Sequence, residues 1–314
     1  MWIIAHRKGF YVFTGIVVVA ALASLFLWGL KFGIDFTGGS LLEVAYTESV
    51  PTVSDVNTAL STAGIADASV RPTGEKGYII RTPFLTPDRY NSVKAALSEG
   101  GKTPFEEKQY SSIGPTIGSE LKTRAIWAIA LVLVAIALFI AFAFRKVSKP
   151  VSSWKYGLVV LLALAHDVIV PVGAFAILGH FFGAEVDTLF VTALLVILGF
   201  SVHDSIVVFD RVRENLRKNQ ENNNAKELFE ETVGKSVSQT IARSINTSLT
   251  VVIVLLVLFF IGPASAHYFV LTLLIGIIAG TYSSIFLGSP LLVTLAAKQK
   301  PKDSSKSEKK AKKR

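Results

Sequence analysis

Apolar and polar positions alternate on a coarse scale along the chain, in six long apolar stretches parted by polar segments. Phe10–Leu30, Ala125–Phe144, Ser244–Ile261 and Tyr268–Ala297 hold no Asp, Glu, Lys or Arg over 21, 20, 18 and 30 residues. Tyr156–Phe182 and Thr188–Phe209 are each interrupted by one acid, Asp167 and Asp204. Crossing the hydrocarbon core of a bilayer takes about 20 apolar residues. The pattern therefore predicts an α-helical polytopic membrane protein with six transmembrane helices. Residues 31–124 follow shorter periods. Leu41–Tyr46 reads as a strand, Thr52–Ala63 as a helix closed by Gly64, and Ala68–Arg71 and Tyr78–Arg81 as two strands. Thr86-Pro87 sets the start of a second helix that stops at Gly100-Gly101, and Phe105–Ser112 supplies a fourth strand. The order β-α-β-β-α-β predicts a small ferredoxin-like α+β domain between helices 1 and 2. That fold hosts many functions and names none. The glycines of Phe36-Thr37-Gly38-Gly39 read as a tight turn leaving the membrane, because no Lys-Ser/Thr follows and no helix is expected to start there.

Composition agrees: 51% of residues are hydrophobic, only 18% are charged and the mean hydropathy is +0.51, which excludes a soluble globular enzyme. The net charge of +9 is concentrated at one end. Residues 298–314 hold nine Lys/Arg and two acids, so the tail contributes +7 and the body is nearly neutral. No nucleic-acid partner is expected of such a body. The tail is expected to be disordered and cytoplasmic, resting on anionic lipid or simply solvated, with an RNA contact as the third reading. The absence of cysteine removes disulfides, thiolate metal sites and a cysteine nucleophile.

Charges beside the spans set the orientation. Arg7 and Lys8 precede the first span; Arg145, Lys146, Lys149 and Lys155 lie between the second and third. Seven Lys/Arg fall between Arg211 and Arg243, whereas residues 183–187 and 262–267 have none. Both termini are expected in the cytoplasm of a prokaryote and 31–124 outside the inner membrane. The first span runs too far beyond Ala21–Ala23 for ordinary signal-peptide cleavage and reads as a retained helix. The organisation expected is thus 1–30, cytoplasmic N-terminus and helix 1; 31–124, external domain; 125–297, helices 2–6; and 298–314, basic tail. Within the helical part, 210–243 is read as a cytoplasmic loop in which Phe229, Val233, Val237 and Ile241 form an amphipathic helix, reached through an Asn222–Asn224 linker.

Ionisable groups inside spans carry the strongest functional signal, since each costs about 2.5–3.5 kcal/mol on insertion scales. Ser201, Asp204 and Ser205 share one helical face in span four. Arg243 stands at the mouth of span five, followed by Asn246, Thr247 and Thr250 in a polar stripe. With spans four and five side by side, Asp204 is expected to face Arg243, although Arg243 snorkelling at the interface is an alternative. Asp167 in span three is either a second proton site or a helix–helix hydrogen bond. The pairs His166-Asp167 and His203-Asp204 suggest a metal site, but neighbours on a helix diverge by about 100° and no His-x-x-x-His is present, so none is expected. Gly276, Gly280, Ser284 and Gly288 recur every four residues in span six as a helix-packing seam.

Two longer motifs carry a resemblance. Phe32-Gly33-Ile34-Asp35-Phe36-Thr37-Gly38-Gly39 resembles the exit of the first span in the SecF family, the smaller membrane subunits of the SecDF export complex. Residues 201–215, from Ser201-Val202-His203-Asp204-Ser205 to Arg213-Glu214-Asn215, resemble that family's fourth-span signature, with His203 where Asn is common. Ala165-His166-Asp167, Arg243-Ser244 and Gly114-Pro115-Thr116-Ile117-Gly118 also fit. The resemblance implies half of a twelve-span architecture of the RND superfamily of proton-driven transporters, with SecD supplying the other half. It implies a non-enzymatic subunit, without an ATPase of its own, that uses the proton-motive force to promote outward preprotein movement. The partners implied are SecD, the Sec translocation channel with its accessory subunits, and unfolded preprotein. The proton is the only coupling ion expected, with no other cofactor, and Asp204 and Arg243 match the family's relay residues. His166, His203, Ser201 and Thr247 are supporting positions. The rival readings are an RND-type exporter of lipid or small molecules, and a scaffold without transport.

Overall fold

The computed structural model describes residues 2–99, 102–145, 151–221 and 227–297. The Gly100-Gly101 stop, Lys146 and Lys149, the Asn222–Asn224 linker and the basic tail lie outside the described residues.

A short helix, α1 (Trp2–Ala5), leads into α2 (Arg7–Trp28), and α3 (Ile34–Thr37) is a single turn before a sheet. As expected, no helix starts at Gly38-Gly39, where a strand begins; α3 ends there because Gly38 and Gly39 have φ of 76° and 134°. A side chain at Gly38 would also strike Pro115, whose Cα lies 2.6 Å from where a Cβ would stand. The sheet consists of β1 (Gly39–Tyr46), β2 (Ser69–Thr73), β3 (Gly77–Thr82) and β4 (Phe105–Ile113). Helices α4 (Val53–Thr62) and α5 (Pro87–Leu97) intervene after β1 and β3. The element order is the one read from the sequence, and the strands stand β2-β3-β1-β4, all antiparallel. Leu42 and Val44 of β1 and Tyr78 and Ile80 of β3 turn one face inward onto Val56, Leu60, Val93 and Leu97 of the helices. Thr52 and Asp55 form a capping box at α4, whereas Thr86 holds the cap position of α5 without a side-chain bond.

Among the described residues, six helices are long and apolar enough to cross a membrane. They are α2, α6 (Pro115–Ala143), α7 (Ser153–Phe181), α8 (Thr188–Glu221), α9 (Phe229–Ile261) and a last span from His267 to Ala297. That span comprises α10 (His267–Tyr282), a π-helical turn over Ser283–Gly288 and α11 (Ser289–Ala297). Most exceed their apolar stretches because polar turns continue the backbone bonding beyond the apolar part. The separate amphipathic helix expected before span five is instead the first part of α9. There Thr232, Val233, Ser236 and Val237 are buried. Asn215 Nδ2 near the end of α8 donates to Ser236 Oγ and Gln239 Oε1, both at 2.9 Å, so the two long helices form one hairpin.

α7, α8 and α10 are the most buried elements of the bundle, while α2, α6 and α9 keep large apolar residues such as Ile16, Leu138 and Val254 exposed. Gly173 lets α2 lie directly on α7: a Cβ there would be 2.4 Å from Ala21 Cα. Ser24 Oγ, on the same side of α2, donates to Gly173 O at 2.8 Å.

Candidate functional site

Two buried carboxylates define the polar interior of the bundle. α7 carries Asp167 inward, fully buried, against α8 and the π turn. Its Oδ2 accepts hydrogen bonds from Ser201 Oγ of α8 and, at 2.8 Å, from Ser283 Oγ; its Oδ1 lies 2.8 Å from His166 Nδ1. Thus Asp167 makes the helix–helix hydrogen bonds that were one of its two readings. The 100° divergence of neighbouring residues does not separate His166 from it, because an imidazole can swing back onto the adjacent carboxylate. Among the described residues no group of three metal-binding side chains is gathered.

Asp204 lies three residues after Ser201 on the same face of α8 and is 2% exposed. Ser205 is buried beside it, His203 is exposed, and Ser244 of α9 approaches it. Even so, Asp204 Oδ2 and Ser244 Oγ are both buried without a hydrogen-bond partner. An apolar medium makes such a group costly, by about 1–3 kcal/mol and more for a charge. The expected meeting of Asp204 and Arg243 does not occur within the described residues, where no ion pair joins them. The reason is helical phase. Ser244, Ser248 and Leu255 are the buried residues of the apolar part of α9, and Arg243 lies 100° off that line. Arg243, Asn246 and Thr250 are exposed on the outer side, and Thr247 Oγ1 bonds back to Arg243 O at 2.9 Å.

The small residues of span six divide between two neighbours. A Cβ at Gly276 would stand 2.1 Å from Ile197 Cδ1, and one at Gly280 3.1 Å from Ser201 Cβ, so both glycines admit α8. Ser284 and Gly288 fall within the π turn, whose wider winding carries the series off that face. Gly288 instead approaches Val159 of α7, and Ser284 Oγ donates to Thr281 O.

Contacts not foreseen in the sequence tie the sheet domain to the bundle. Asp35 Oδ2 accepts from Thr188 N at 2.8 Å and Thr188 Oγ1 at 2.6 Å, capping α8 from the motif that follows α2. Gly33 N donates to Val186 O, and Arg71 Nη1 of β2 donates to Gly183 O at 2.5 Å. Arg81 of β3 lies 2.9 Å from Glu185 Oε2, although its Nε–H is not aimed along a hydrogen bond and Nη1 has no partner. Burial pushes the Glu185 carboxyl up and the Arg81 guanidinium down, each opposed by the other's charge. The signal present in the sequence was Asp187 directly before a span start, where its Oδ1 accepts from Phe190 N; Asp35 and the two arginines have nothing to mark them as contacts.

Among the described residues, six helices long and apolar enough to cross a membrane, with ionisable side chains sealed between the central three and a four-stranded sheet domain inserted after the first, define a polytopic membrane protein. Known proteins narrow this. The family described as protein export membrane protein SecD/SecF, C-terminal, matches residues 92–298, and the SecD/SecF GG motif matches 24–50. Protein translocase subunit SecF of Thermobaculum terrenum is 43% identical over 305 residues, 93% of each chain. That of Anaerolinea thermophila is 36% identical over 93% of this chain and 92% of its own. The crystal structure of SecDF from Thermus thermophilus, a translocon-associated membrane protein, superposes with a TM-score of 0.78 at 30% identity, over 93% of this chain. SecDF in a super-membrane-facing form gives 0.67, also at 30% identity, over 96%. This chain spans 38% and 40% of those two SecDF chains. The chain belongs to the SecF family of protein translocase subunits.

Proposed function

We propose that this subunit works in the cell membrane with a SecD partner and uses the proton-motive force to promote outward translocation of preproteins through the Sec channel. The observation that carries the reading is Asp204, sealed in the bundle with one carboxyl oxygen lacking a donor. A protonation change there alters a charge that the surroundings do not neutralise. One charge moved across 100 mV yields about 2.3 kcal/mol, enough to bias two packings of the spans. Arg243, Asn246 and Thr250 form a polar stripe on the outer side of α9. That stripe is where a SecD half with its own acid would complete a twelve-span bundle, so Arg243 serves the relay across the interface and not within this chain.

The strand order β2-β3-β1-β4 supports the ferredoxin-like reading of the inserted domain, and the flanking charges support its placement outside with both termini in the cytoplasm. The basic tail is proposed to rest on anionic lipid. The direct test measures export of a signal-bearing preprotein in the source strain with and without this gene, each with and without an uncoupler. The gene should accelerate export, and the uncoupler should remove that gain. A gain that persists with the proton-motive force collapsed would overturn the reading.

A further inference from the structure

Three central helices meet at Asp167, a carboxylate to which the relay of Asp204 and Arg243 assigns no part. Asp167 is 0% exposed and His166 5% exposed. The oxygen that accepts from Ser201 also accepts from Ser283, the first residue of the π turn, so one atom holds α8 and the last span together. Gly280, one turn earlier, makes the approach feasible: a Cβ there would stand 3.1 Å from Ser201 Cβ and 3.6 Å from Asp167 Oδ2. At the far end of the turn, Ser289 Oγ donates to Ser284 O at 3.2 Å. π turns are uncommon within helices and recur at functional sites, because the wide turn can be regained or lost as the helix shifts.

The chemistry of the pair allows it to take up a proton in place. With Asp167 ionised, His166 Nδ1–H and both serine hydroxyls donate to it, using three of about four acceptor positions. An added proton leaves a carboxylic acid donating from Oδ1 to Nδ1 of an imidazole that carries its hydrogen on Nε2. Every heavy-atom contact survives, and the pair's charge goes from −1 to 0. The serines then donate to a neutral acid and lose charge assistance, which about doubles the strength of such bonds. Protonation therefore loosens the grip on Ser201 and Ser283 together.

We propose that His166–Asp167 is a second protonation site of the transport cycle, and that its charge sets how α8 stands against the π turn of the last span. Asp204 moves with it, since it sits on the same face of α8 as Ser201, three residues on. Asp167 is thus a positioning residue for Asp204, and the inference rests on the proton-driven reading. The titratable groups within the apolar spans packed on α7 are Tyr11 of α2, His203 and Asp204 of α8, and Tyr268 and Tyr282 of α10. The Tyr282 ring lies 6.2 Å from that of His166; α6 has no such group between residues 125 and 143, and α11 has none.

Asp167→Asn is the decisive variant, because an amide keeps the shape, accepts from both serines and donates to His166 Nδ1, as the protonated acid would. The assay is uncoupler-sensitive export in membranes of the source strain, followed against the pH of the proton-rich side. Asp167→Asn should insert normally and lose stimulation by about tenfold or more, within the usual range of coupling between two sites. Its remaining pH profile should be shallower than that of the parent, one titration having gone. Ser283→Ala, which changes no charge, should shift the parental profile without flattening it, and it carries the test if Asp167→Asn fails to accumulate. Parental rate and profile in Asp167→Asn, or in Ser283→Ala should that variant stand alone, would overturn the second site while leaving the proton-driven reading intact. Uncoupler-insensitive export by the parent would instead overturn both.

Discussion

Gly173→Ala adds one methyl group where two spans touch backbone to backbone, which makes its cost calculable. The new Cβ would lie 2.4 Å from both Cα and Cβ of Ala21 and 2.7 Å from Ala21 O, against 3.4–4 Å for ordinary contact. α2 must therefore retreat by about 1 Å, because interiors at native density have no slack to absorb the overlap. Retreat stretches the 2.8 Å bond from Ser24 Oγ to Gly173 O, at a serine that is 4% exposed. Overpacking costs about 1–3 kcal/mol, and an interhelical hydrogen bond in a membrane protein about 0.6 kcal/mol. The sum is a loss of about 1.6–3.6 kcal/mol. Gly15→Ala is the control, since nothing lies within 4 Å of the added methyl group on the same helix α2. That change should be neutral or slightly stabilising through helix propensity. Titrating the purified chain from mild detergent into SDS, with tryptophan fluorescence as the signal, measures both; Trp28 stacks on His180 across the α2–α7 contact at 5.1 Å. If Gly173→Ala unfolds with Gly15→Ala and the parent, the close approach of α2 and α7 is wrong.

Other expectations concern the sheet domain and the orientation. Asp35→Ala removes two hydrogen bonds at the start of α8 while Asp187 Oδ1 still accepts from Phe190 N, and should cost about 0.5–2 kcal/mol in the same titration, with Thr188→Ala costing less because the backbone bond remains. Hydrogen bonds from Tyr90 and Lys94 hold the Glu107 carboxyl below its ordinary value. A depressed acid stabilises the folded domain above the unfolded value of 4.5 and loses that contribution as pH falls through the folded one. Protection of the α5 and β4 amides, taken against the intrinsic exchange rate at each pH, should therefore fall on acidification, and Glu107→Gln should lessen that fall; an equal fall in both would contradict the assignment. The chain has no cysteine, so Ser92→Cys should react with an impermeant reagent on intact cells and Gln220→Cys should not. The reverse result would invert the orientation.

Backbone-scale features were legible in the sequence because they follow from local rules. Six apolar stretches gave six spans, and turn and cap chemistry at Thr52, Gly64 and Pro87 placed the two helices of the sheet domain. The π turn was not legible, since Ser283–Gly288 reads as ordinary helix and only packing on Asp167 and Val159 distinguishes it. Burial identified Asp204 and Asp167, but phase decided their partners. Arg243 and Ser244 are neighbours in sequence, yet only Ser244 turns inward. In sequence Asp35 belongs to the motif at the exit of the first span, whereas it bonds the start of a helix 153 residues further on. Such a contact depends on the docking of distant segments, which periodicity does not encode.

In the proposed function, charge on Asp204 converts the proton gradient into export. Asp204→Asn in the chromosomal copy, assayed for export in membrane vesicles with an imposed gradient, tests it most directly. The variant should accumulate to parental levels, because it replaces a buried acid with a neutral group of equal shape, and the gain from the gradient should vanish. A full parental gain in Asp204→Asn would contradict the account.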